Sequence, residues 1–97
     1  MFSWFDAKEA RTFGESLAAS FAERIPANSD LKEKKFTTKA QQVLSKMALQ
    51  VDQFKQGHKL NVFKKAQLGN AFKWKLRDAG YDHGYVDELT EWLMLRF

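Results

Sequence analysis

Phe36, Ala40, Val43, Met47, Val51 and Phe54 recur at steps of three and four residues. That spacing returns each side chain to one face of a helix, and Leu44 and Ala48 widen the stripe. It is the most regular pattern in the chain, and it predicts a long amphipathic helix. Asp30 with Glu33, or Thr38 with Gln41, supplies an N-terminal cap. If the second pair is the cap, residues 31–37 form a looser lead-in. Gly57 is the expected stop, close to Gln56.

The preceding segment has the same period. Ala10, Phe13, Leu17, Phe21 and Ile25 share a face, with Ala18 and Ala22 beside them. Asp6 followed by Glu9 predicts a capped start, and Pro26 forces an end, because a proline pushes its predecessor out of the α region. The expected helix runs from about Ala7 to Arg24. Near the other end, Val86, Leu89, Leu93 and Phe97 form a further stripe, flanked by Tyr85, Trp92 and Met94. Asp82 can cap it, and Asp87, Glu88 and Glu91 lie toward its N-terminal end, where the helix dipole favours anions.

Residues 60–79 admit two readings. Phe72, Trp74 and Leu76 alternate with Lys73, Lys75 and Arg77, as in a strand, and Gly69-Asn70 can serve as a hairpin turn. Leu68, Ala71, Phe72, Leu76 and Ala79 equally fit one helical face. The Lys, Gln, Ala and Leu content and the Ala79-Gly80-Tyr81 ending favour helix, with Gly69 as a point of interruption. Short connections then predict an all-α fold: a compact antiparallel bundle of four helices, or of three with an irregular fourth element, formed by residues 1–97 as a single domain.

A chain of 97 residues with 44% hydrophobic content, 9 Phe and 3 Trp can build one core. Phe13, Leu17, Phe21, Val43, Met47, Val51, Leu89 and Leu93 sit at the centres of their apolar faces and are the expected core residues. The absence of cysteine removes disulfides, thiol nucleophiles and thiolate metal sites. The first residues lack a basic, then apolar, secretory pattern, and no apolar run reaches the ~20 residues of a membrane span. The expected location is the cytoplasm.

Few residues offer chemistry. His58 follows Gly57 and His83 lies between Asp82 and Gly84, both read as solvated loop positions. Asp82, His83 and Asp87 fall short of the four ligands of a closed zinc site. Glu88 and Glu91 share a helical face, but catalytic use would need a pocket that separates their pKa values. A charged helix face is the simpler reading. No serine–histidine–aspartate set, glycine-rich phosphate loop or nucleotide motif is present. The expectation is therefore a non-enzymatic protein with no cofactor and no metal.

Charge is distributed unevenly. Residues 31–77 carry 11 Lys and one Arg against Glu33 and Asp52, whereas the segments on either side are net acidic and the whole chain is +4. Lys55, Lys59, Lys64, Lys65, Asn70, Lys73, Trp74 and Arg77 are the candidate surface for a partner or for nucleic acid. Lysines interleaved with aromatics suit phosphates and bases. Against that, the Lys excess is poor for reading base edges, and the acidic ends can fold back on the basic centre. An ordinary solvated or internally paired surface is the first reading of this stretch; among partners, an acidic protein surface or a second copy of the chain is favoured over nucleic acid. Phe2, Trp4 and Phe5 are expected to pack onto the bundle or across a dimer interface. The overall expectation is a protein-interaction module or accessory subunit. A nucleic-acid binder using residues 55–77 is the alternative, and an enzyme with an unfamiliar site comes last.

Overall fold

In a computed structural model, residues 6–27 and 38–97 are described. They form four helices: α1 (Lys8–Arg24), α2 (Thr38–Gly57), α3 (Val62–Asp78) and α4 (His83–Met94). No strand occurs among the described residues, which decides between the two readings of residues 60–79 in favour of helix. The expected aromatic packing of Phe2, Trp4 and Phe5, and the Asp30–Glu33 cap, lie outside the described residues.

The local reasons for α3 are clear. The Asn61 side chain accepts the Lys64 amide at 2.8 Å, capping the first turn. At the other end Gly80 adopts a φ of +97°, the Gly80 amide bonds the Arg77 carbonyl, and the Tyr81 amide reaches Leu76. This is a Schellman ending, and it favours glycine because the left-handed region strains other residues. Leu68, Phe72 and Leu76 between them are fully buried on one face. The apparent alternation failed as a strand signal because Trp74 points outward and is not part of the core.

Helix α1 starts one residue later than its sequence suggested. Ala7 is the capping position and makes no side-chain cap, while Asp6 accepts the Lys8 amide at 3.2 Å. Ala7 is buried and its carbonyl accepts the Arg11 amide at 2.8 Å, but its φ of −110° and ψ of 20° lie outside the helical region, so the helix begins after it. Gly57 is the last residue of α2, not a left-handed residue beyond it. Gly69 does not interrupt α3. It is buried, and a side chain there would meet the Met94 thioether at 2.6 Å.

Consecutive helices run antiparallel. Phe13 of α1 stacks on Phe54 near the end of α2, and Met94 at the end of α4 packs on Gly69 in the first half of α3. The closest pair is not consecutive. α1 and α3 run parallel, Arg11 bonding Gln67 at one end and the Tyr81 hydroxyl donating to the Ile25 carbonyl just past the other. Gly14 makes this approach possible, since a Cβ there would collide with the Leu68 carbonyl oxygen. Seven of the eight expected core residues are buried. Phe13 is only partly buried, because it closes the core at its edge against Phe54.

Candidate interaction surface

The fold divides the basic stretch. Lys55, at the end of α2, donates to the Arg96 carbonyl at 2.8 Å, and Lys65 donates to the Phe97 main-chain oxygen at 3.3 Å. Lys59 is exposed in the α2–α3 connection, and Lys64 is half-buried in the first turn of α3. These four lysines lie at one end of the bundle.

Asn70, Lys73, Trp74 and Arg77 lie farther along α3. The Asp87 carboxylate of α4 stands 3.2 Å from the Arg77 guanidinium and 3.9 Å from the Lys73 ammonium. An acidic residue near the C-terminus thus folds back on the basic centre, and one carboxylate serves two cations. The Arg77 guanidinium also lies 5.1 Å from the Trp74 ring centroid, within cation–π reach.

Trp74 is itself 55% exposed. Beside it, between α1 and α3, is a hollow of about 530 Å³. Asn70, Gln67 and Ala71 form part of its wall, with Arg11 and Lys75 as cations and Glu15 and Asp78 as anions. Sequence inspection found Asn70 and Trp74 but missed Arg11, Glu15 and Asp78. The parallel packing of α1 on α3 brings Arg11 and Glu15 beside the tryptophan, and no short-range pattern encodes it, whereas Asp78 stands four residues beyond Trp74 on α3 itself, a spacing legible in the sequence.

His58 is not a solvated loop residue. Its ring stacks on Phe54 with centroids 4.1 Å apart, and Phe54 stacks on Phe13 at the same spacing. Nε2 lies 3.0 Å from a Glu9 carboxylate oxygen and Nδ1 lies 3.0 Å from the Phe54 carbonyl. The contact with Glu9 spans 49 positions, so no local spacing announced it.

The other acid–base candidates are placed in ordinary roles. Asp82 accepts the Tyr85 amide at 3.1 Å as the α4 cap, and His83 is exposed. Asp87 faces Arg77, and no group of three metal-ligating side chains occurs among the described residues. On α4, Glu88 is half-buried and Glu91 exposed. Burial raises the pKa of Tyr81, and burial with the nearby Tyr81 and Glu88 pushes Tyr85 up to about 12. No described helix is long and apolar enough to cross a membrane. No protein-family model, curated protein or solved structure matches this chain.

Proposed function

We propose that this chain is a non-enzymatic interaction module, a cytoplasmic accessory protein that docks through the α1–α3 face around Trp74. The observation that carries the reading is a half-exposed indole at the rim of a hollow lined by both signs of charge. Tryptophan and arginine are enriched among binding anchors, tryptophan because it buries a large area with only two torsions to freeze and arginine because its planar guanidinium both stacks and hydrogen-bonds. Arg77 lies over Trp74 and is tied to Asp87, so the anchor is held in place before any partner arrives.

The same charges argue against nucleic acid at this face. Asp87 offsets part of the charge of Lys73 and Arg77, and Glu15 and Asp78 would meet phosphates with like charge. Two measurements test the proposal. Proteins captured from the native host by the wild type after nuclease treatment should be lost with Trp74→Ala. Labelled duplex and single strands should show no binding at about 150 mM salt. Salt-dependent nucleic-acid binding that Lys73→Ala with Arg77→Ala weakens would replace this reading with the alternative.

A further inference from the structure

We propose that the end of the bundle formed by the α2–α3 connection and the last residues after α4 is a second interaction surface, and that it docks on an anionic lipid surface. It is separate from the face around Trp74, which stands about 18 Å from Val62 along α3.

Two stretches of chain build this end. Lys55 donates to the Arg96 carbonyl at 2.8 Å and Lys65 to the Phe97 main-chain oxygen at 3.3 Å, so the chain after α4 is laid against the α2–α3 connection. Residues 53–65 and 92–97 carry four Lys and one Arg and no acidic side chain. A carbonyl holds the Lys55 ammonium without cancelling its charge, unlike the carboxylate that faces Lys73 and Arg77. The start of α1 reaches the same end, where Glu9 lies 3.0 Å from His58 and Asp6 accepts the Lys8 amide. Lys8 is a sixth cation. Against the six stand Asp6, Glu9, Asp52 one turn back on α2, and a carboxylate at Phe97, so the end is net positive.

The apolar side chains decide what kind of anion fits. Val62 is 79% exposed and Leu95 82%, the two most exposed large hydrophobic side chains among the described residues. One exposed aliphatic is ordinary on any protein. Two at one net-positive end combine the elements of interfacial binding: aliphatic tips that enter the headgroup boundary, and lysines that meet anionic lipids. A protein partner is a poorer match, because valine and leucine are under-represented among binding anchors and lysine is depleted in interfaces. Nucleic acid is poorer still, since aliphatic tips give bases nothing to stack on. The apolar area is small, so attachment is reversible and depends on charge.

The test is co-sedimentation of the whole chain with vesicles of phosphatidylcholine alone and of phosphatidylcholine with phosphatidylserine. Binding should appear only with phosphatidylserine and weaken as salt rises from about 50 to 150 mM. Lys59→Ala should weaken it about fivefold, the share of one lysine near a charged membrane. Val62→Ser with Leu95→Ser should weaken it at unchanged net charge. Lys39→Ala removes the same charge from the opposite end of α2 and should leave binding unchanged. Circular dichroism checks that each variant is folded. No binding to the anionic vesicles overturns the proposal. So does an equal loss with Lys39→Ala, which would reduce the effect to net charge, and so does indifference to the Val62 and Leu95 changes. Binding to polyglutamate as tight as to the vesicles would make the partner an acidic protein and overturn the lipid.

Discussion

The guanidinium of Arg77 covers Trp74 at 5.1 Å and is anchored at 3.2 Å by Asp87, so a side chain of α4 sets the attitude of an indole on α3. Remove the carboxylate and the indole loses its support, but the bundle does not. Asp87→Asn should cost less than about 1 kcal/mol, because Asp87 and Lys73 are partly solvated and exposed pairs contribute little. The Trp74 indole resonance should nevertheless move. Urea unfolding and the indole N–H signal would separate the two effects. A loss of several kcal/mol would mean that Asp87 supports the fold and not only the tryptophan.

Gly14 and Gly57 should respond in opposite ways to the same change. Alanine favours a helix over glycine by about 1 kcal/mol. At Gly14 the added methyl would strike the Leu68 carbonyl, forcing α1 away from α3, and overpacking costs of this kind run to about 1–3 kcal/mol. Gly14→Ala should therefore destabilise despite its better propensity. Nothing stands within 4 Å of the Gly57 position, so Gly57→Ala should be neutral or stabilising by up to about 1 kcal/mol. Thermal melts of the two variants would suffice, and equal effects would disprove the close α1–α3 approach.

Core substitutions should rank by burial. Leu17 and Leu89 are at most 1% exposed, so replacing either by alanine should cost about 2–5 kcal/mol through lost transfer energy and an incompletely collapsed cavity. Phe21, also fully buried, should cost about 3–5 kcal/mol as alanine. Phe13→Ala should cost less than Phe21→Ala, since Phe13 is only partly covered and stacks at the rim on Phe54. Urea midpoints for the four variants test the order, and a loss at Leu17 below about 0.5 kcal/mol would mark it as a surface position.

What the sequence made legible follows the range of the interactions involved. Leu17, Phe21, Met47, Val51, Leu89 and Leu93 could be assigned to the core because a helix repeats its buried face every three to four residues. Gly80 and Asp82 were readable as punctuation because their bonds close within a few residues. Gly14 escaped notice because glycine adds nothing to a hydrophobic stripe. Its importance lies in letting a non-consecutive helix approach. Glu9 with His58 joins α1 to the α2–α3 connection and Asp87 with Arg77 joins α4 to α3, and only the first could not be framed without the fold. That the acidic ends can turn back on the basic centre was legible from the charge distribution, and Asp87 does so against Lys73 and Arg77. Lys55, Lys59, Lys64 and Lys65 gather at the bundle end because they flank the α2–α3 connection, whereas the arrival of Arg11 and Glu15 beside Trp74 depended on the parallel pairing of α1 with α3.

Alkaline stability should depend on the two tyrosines. Tyr81 and Tyr85 are 3% and 1% exposed, with ring centroids 6.3 Å apart, and burial disfavours the charge of a phenolate. The Tyr85 pKa is pushed up to about 12 from 10.0, and that of Tyr81 is also raised. Between those two values the unfolded chain has released a proton that the folded chain still holds. The unfolded state therefore binds fewer protons, and stability must fall as pH rises through this window. Below about pH 10 both states keep the proton, so these groups contribute no slope there. Absorbance at the phenolate band should show the tyrosines titrating late in the folded protein and together on unfolding. Tyr85→Phe is the control: its stability should fall less steeply than the wild type's between pH 10 and about 12. Equal slopes would mean that Tyr85 ionises in the folded protein as readily as in water, and that its hydroxyl is not sequestered in the core.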